Sequence, residues 1–156
     1  MATEHTSLAL SGLTCQIPNI SNEILSLIKF KEGEPLYKEF VERFLKFVPI
    51  DYNIANRIEL FNGFTSKSFE FFKHRVLSKR KIEIRNNIIE DNPSISILLI
   101  NDDKPFIVDS LLCLLNKVGL QPKFILHPVI SCIRENGGGL IEISDENVSA
   151  HVESLI

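Results

Sequence analysis

Five side chains have the types and spacing that chemistry would need: the adjacent carboxylates Asp102 and Asp103, the polar pair Asp109 and Ser110, and His127. Paired carboxylates can hold a divalent cation or share acid and base work. Both, however, stand just ahead of a helical pattern that opens at Pro105, where negative charge is favoured by about 0.3–1 kcal/mol through the helix dipole. Asp102 and Asp103 are therefore expected to act on the helix terminus, with no metal site. Asp109 and Ser110 fall inside that helix. They mark either a solvated helix face or a face turned toward another domain or a small ligand. His127 precedes Pro128 in an extended stretch with no Cys, Asp or Glu close by in sequence. Proline in a strand marks an edge or a bulge, so His127 is expected to shape that edge.

Other reactive residues form no set. His5, His74 and His151 show no metal-ligand spacing, and Cys15, Cys113 and Cys132 are widely separated with no C-x-x-C pair, so they read as reduced apolar side chains. Gly137-Gly138-Gly139 lies between two extended segments. A dinucleotide-binding loop must open a helix, so this cluster reads as a hairpin connection. The expectation is no catalytic, cofactor-binding or metal residue in the chain, with Asp102, Asp103, Asp109, Ser110 and His127 as a possible effector or interdomain contact.

The elements that would position these residues follow from periodicity. Residues 1–17 lack it and read as a disordered leader. Ile24, Leu27 and Ile28 give a short helix ended by Gly33, and Pro35 opens a second that carries Leu36, Phe40, Phe44, Phe47 and Val48 on one face. Pro49 stops it. Asp51 can cap a third helix with Ile54, Ile58 and Phe61 inward. Gly63 is expected to break it before a fourth helix, which runs through Phe69, Phe72 and Val76 and has Lys73, His74 and Arg75 in its last turn. The Phe residues at helical spacing read as core rather than as a ligand pocket. After Ser78 the period becomes two: Lys81 to Arg85 reads as a half-exposed strand, Asn92-Pro93 as a turn, and Ile95 to Ile100 as a central strand. Pro105 and Gly119 bracket a helix, Lys123 to Arg134 is one long extended stretch, and Leu140 to Ile143 follows the glycine turn. Val152 to Ile156 looks like the start of another strand. The division is a helical subdomain at 18–78 and a second unit at 79–156.

Bulk properties exclude several functions. Hydrophobic residues make up 44% and charged residues 24%, as in ordinary globular proteins, and the net charge of -3 with one short basic cluster, Lys79-Arg80-Lys81, argues against nucleic acid. No apolar run is long enough for a membrane span. Glu4 and His5 stand where a signal peptide would be basic, so the expected location is the cytoplasm.

The stretch from Asn101 to Ser110, N-D-D-K-P-F-I-V-D-S, resembles the N-D-D-x-P-F-L-V-D-S signature of the large bacterial NAD-specific glutamate dehydrogenases. His127-Pro128-Val129, Arg134 with the glycine turn after it, and Glu153-Ser154 are similar to that family in order and spacing. The resemblance covers about Phe69 to Ile156, with Ile107 where Leu is usual. It implies an α+β fold: a helical subdomain followed by an incomplete ACT-like (ferredoxin-like) β-α-β-β module, truncated at its carboxyl end. It also implies a non-catalytic amino-terminal regulatory or assembly segment, a fragment or split-gene product whose full-length family uses NAD. The alternative is a stand-alone ACT-like module binding an amino acid. Expected partners are the remaining dehydrogenase segments or another copy, with an amino-acid effector possible and neither nucleic acid nor membrane.

Overall fold

The computed structural model of the chain describes residues 26–30, 34–48, 58–89, 92–144 and 149–156. Expectations placed on the leader, Cys15, Ile24, Gly33, Pro49, Asp51 and Ile54 lie outside them. Helix α1, Pro35–Leu45, has its proline in the first turn and buries Tyr37, Phe40, Val41, Phe44 and Leu45. That spacing of three and four residues is one apolar stripe. Helix α2, Ile58–Phe72, buries Phe61, Thr65, Ser68, Phe69, Phe71 and Phe72.

Gly63 does not break α2, contrary to expectation. A Cβ built there meets nothing within 4 Å, so the glycine is simply tolerated inside the helix. The helix also stops at Phe72 rather than Val76. The main chain after it is captured elsewhere: Leu140 donates to the Lys73 carbonyl at 2.8 Å and Arg75 to the Gly138 carbonyl at 2.8 Å. Lys73, His74 and Arg75 thus leave the helix to dock on the glycine turn.

The sheet has five strands: β1 Lys81–Ile89, β2 Asn92–Asp102, β3 Val129–Arg134, β4 Leu140–Ile143 and β5 His151–Leu155, with helix α3, Ile107–Lys117, between β2 and β3. Their order across the sheet is β1-β2-β5-β3-β4 and every pairing is antiparallel. The α+β, ACT-like reading holds, with three differences in detail. Asn92-Pro93 is the start of β2, with Pro93 opposite Ile88, rather than a turn. The long extended stretch reaches strand pairing only at Val129, because Pro122 and Pro128 have no N–H to give a ladder. His127 therefore precedes the strand instead of lying within it. Last, residues 151–155 form the central strand, and the edge of β2 away from β5 is closed by β1 from Lys81 to Ile89.

One sheet face carries Ile100, Leu155, Ile130, Cys132 and Ile143, and these join Phe40, Phe44, Phe69 and Phe72 in a single core. Both α1 and α2 therefore cover that face. β2 and β3 are each antiparallel to β5, hence parallel to one another, and a crossover between parallel strands must pass over one face. Helix α3 makes that crossover, and none of its residues is buried. It ends as expected: Gly119, at φ +74, donates to the Asn116 carbonyl at 3.1 Å, and Leu120 donates to the Leu115 carbonyl at 2.9 Å. That is the Schellman pattern, which needs a left-handed residue at this point. Its start differs. Pro105 lies in a turn ahead of the helix, and Phe106 flanks it with φ 65. Among the described residues no helix is long and apolar enough to cross a membrane.

The glycine turn is a hairpin connection, as read, and it is also a docking surface. At Gly138, φ is +95 and a Cβ would lie 2.6 Å from the Arg75 carbonyl oxygen. Gly138→Ala should lower stability by at least about 1–3 kcal/mol, through the strained φ and the backbone clash. Gly63→Ala should raise it by about 0.5–1 kcal/mol, since an open helical site gains propensity. Urea unfolding of the two variants checks the opposite signs.

Candidate functional site

The charged residues that the fold brings together lie between the helical pair and the sheet. Strand parity places Arg134 on the same face as Ile130 and Cys132, and the register sets Glu153 opposite Ile130 and Asp102. Glu153 is fully buried. The Arg134 guanidinium grips it with two bonds, Nε to Oε1 at 2.9 Å and Nη2 to Oε2 at 2.8 Å. Arg75, itself 1% exposed, reaches the same carboxylate at 2.8 Å and Asp102 at 2.5 Å. The formal charges of the four groups cancel.

Other donors of the two arginines go to main-chain carbonyls, Arg134 to Phe72 at 2.9 Å and Gly138 at 3.1 Å and Arg75 to Lys79 at 2.7 Å, while the buried Arg75 Nη1 faces Glu153 without a hydrogen bond of good geometry. The Arg134 guanidinium also sits 4.7 Å from the Phe72 ring centroid. Burial works against the Arg75 charge, but the hydrogen bonds and charges of Asp102 and Glu153 outweigh it and move its pKa up. Cys132, next to this cluster, is pushed up to about 12, first by burial and then by the Glu153 charge. The thiol stays protonated and inert at neutral pH.

A second polar group lies where residues just before β3 and just after β2 meet β5. His127 Nε2 lies 3.1 Å from Ser154 Oγ, and Ser154 Oγ donates to Asp103 Oδ1 at 2.5 Å. Burial lowers the His127 pKa, with Asp103 acting in the opposite sense. The order matters. A nucleophilic serine gives its proton to histidine, and the carboxylate orients that histidine from its far side. Here the serine proton goes to the carboxylate, so the hydroxyl accepts from His127 Nε2–H, and the three residues hold a strand end together.

The model of the family described as glutamate dehydrogenase, ACT1 domain, matches residues 40–156. The chain belongs to that family. No curated protein and no solved structure matches it. The matched region of the ACT1 domain begins within α1, upstream of Phe69, where the motif resemblance starts.

In this ACT1 domain the motif residues separate by strand parity. Asp102 faces the helical pair and pairs with Arg75, while Asp103 joins His127 and Ser154. Neither caps α3, whose first turn has no side-chain cap. The expected helix-terminal role fails for that reason: each carboxylate is held by a closer donor. Asp109 is the acidic residue of the first turn of α3, where the dipole favours it, and it is exposed together with Ser110. Among the described residues no three His, Cys, Asp or Glu side chains are grouped to hold a metal ion.

Arg75, Arg134, Glu153 and Ser154 are the residues that local reading leaves out of the site. Arg134 had a signal: it falls on the apolar parity of its strand. Arg75 had none, being placed by a helix end whose position depends on the glycine turn.

Proposed function

We propose that this chain is a non-catalytic regulatory or assembly segment from the amino-terminal region of an NAD-specific glutamate dehydrogenase, acting in the cytoplasm with the rest of that enzyme or with further copies. The observation that supports this most is the use of the family-type residues Asp102, Arg134 and Glu153 as a buried ionic clasp between the helical pair and the sheet. Side chains committed to architecture in this way are not available to a substrate. NAD would be bound by other parts of the dehydrogenase.

The reading is tested by adding the purified chain to a dehydrogenase of this family from which the matching region has been deleted. The expected result is that the chain alone forms no NADH from glutamate and NAD, while its addition restores subunit assembly or effector response. Turnover by the chain alone that a point substitution abolishes, or a deleted enzyme unchanged in both properties, would overturn it.

A second reading, an ACT-like module that binds an amino acid, draws support from the His127–Ser154–Asp103 group, whose Asp103 is exposed beside α3. A saturable rise in melting temperature with one amino acid, lost in Asp103→Asn, would favour it.

A further inference from the structure

The two polar groups at this end of the sheet stand back to back. β2 ends at Asp102, opposite Glu153, and successive side chains of a strand leave on opposite faces. Asp102 and Glu153 meet Arg75 on the face of the helical pair, while their chain neighbours Asp103 and Ser154 join His127 on the other. Two short stretches of main chain thus carry both groups.

Asp103 donates its N–H to the Val152 carbonyl at 2.9 Å, the outermost main-chain bond between β2 and β5 at this end among the described residues. Its carboxylate is exposed, and the fully buried Ser154 hydroxyl donates to it at 2.5 Å. Strand ends open first, so this side-chain tie protects the last rung and, one residue inward, Asp102. Arg75 depends on Asp102 more than on Glu153. Asp102 gives it a hydrogen bond at 2.5 Å, whereas Arg134 takes both oxygens of Glu153 and leaves Arg75 Nη1 a charge contact alone. Arg75 in turn stands just past α2, where its N–H is bonded to the Gly138 carbonyl and the Leu140 N–H to that of Lys73.

We propose that Asp102-Asp103 and Glu153-Ser154 form a two-sided latch, in which the Ser154–Asp103 bond on one face keeps Asp102 on Arg75 at the other and so keeps the end of α2 docked on the glycine turn. Whatever draws the Asp103 carboxylate away from Ser154 slackens the hold of the sheet on the helical pair from the far face. Coupling of this kind needs an element with two arrangements that both sides bias. Here that element is the last rung of β2, closed or frayed. The rings of Phe40, Phe69 and Phe72 hold α1 to α2 in either arrangement. The latch goes beyond both functional readings above and holds whatever the ligand, since it needs only these two dipeptides and Arg75.

Amide hydrogen exchange of the full chain reads the latch residue by residue. Asp103→Ala, a change at an exposed side chain, should speed exchange at Arg75 and Leu140 by about fivefold or more, the low end of ordinary coupling between sites. Val41 and Phe44 within α1 should change less, since they report global opening. Asp103→Asn keeps an oxygen for the Ser154 hydroxyl and should stay near the parent. Ser154→Ala cuts the same bond from the β5 side and should repeat the Asp103→Ala pattern. Asp102→Ala should speed the same two amides, and adding Asp103→Ala to it should change them little further, because Asp103 acts through Asp102. Unchanged rates at Arg75 and Leu140 overturn the proposal. So does equal acceleration at Val41 and Phe44, which would mean a loss of global stability only, and so do effects of the two alanines that multiply.

Discussion

Glu153→Ala should destabilise the chain by about 3–5 kcal/mol, the cost of leaving buried charge without its partner. Two guanidinium groups lose their shared carboxylate, and Asp102, which is partly exposed, can offset only one of them. A domain of this size is stable by about 5–15 kcal/mol, so the variant stands near the limit of folding. Arg134→Ala should cost less than the loss of Glu153, because Glu153 keeps Arg75. Replacing Arg134 and Glu153 together by apolar residues of similar volume should recover most of the loss, since exchange of a whole buried pair is often neutral. Denaturant titration of the three variants checks the order. A Glu153→Ala chain within about 1 kcal/mol of the parent would mean that water reaches the cluster, as for a surface ion pair.

Phe72→Ala should cost a similar amount, about 3–5 kcal/mol, by a different route. The ring is fully buried, with its centroid 5.4 Å from that of Phe40 on α1 and 4.7 Å from the Arg134 guanidinium on β3. Its removal loosens α1, α2 and the sheet at one point. Because these elements share one core, the variant should still unfold in a single transition with coincident helix and sheet signals. A helical half that outlasts the sheet would appear as a second transition and would show that the core is divided.

Local sequence gave access to the parts of the fold that depend on neighbours in the chain. Pro35 at the start of α1 with Phe40 and Phe44 on its buried face, the switch to a period of two after Ser78, and Gly119 as a helix terminator all rest on backbone and packing rules that act within a few residues, although Tyr37, Val41 and Leu45 were not read as part of that face. Gly63 misled because glycine disfavours a helix by only about 1 kcal/mol, less than the burial of Phe61 and Phe69 on either side contributes. The site was harder. His127 looked isolated because its partners, Ser154 and Asp103, come from β5 and just past the end of β2, and Glu153 meets Arg75 from 78 positions away in the chain. Such pairings are set by strand order, and the order β1-β2-β5-β3-β4 cannot be read from hydropathy.

That order also constrains the sequence of events in folding. The β1–β2 and β3–β4 hairpins are local and can form early, but they touch each other in the sheet only through β5. Until residues 151–155 leave the ribosome, the nascent chain holds two separate ribbons and two arginines waiting for Glu153. Pairings so distant in sequence are slow to close, so the interval is one in which exposed strand edges invite wrong partners and chaperones have most to protect.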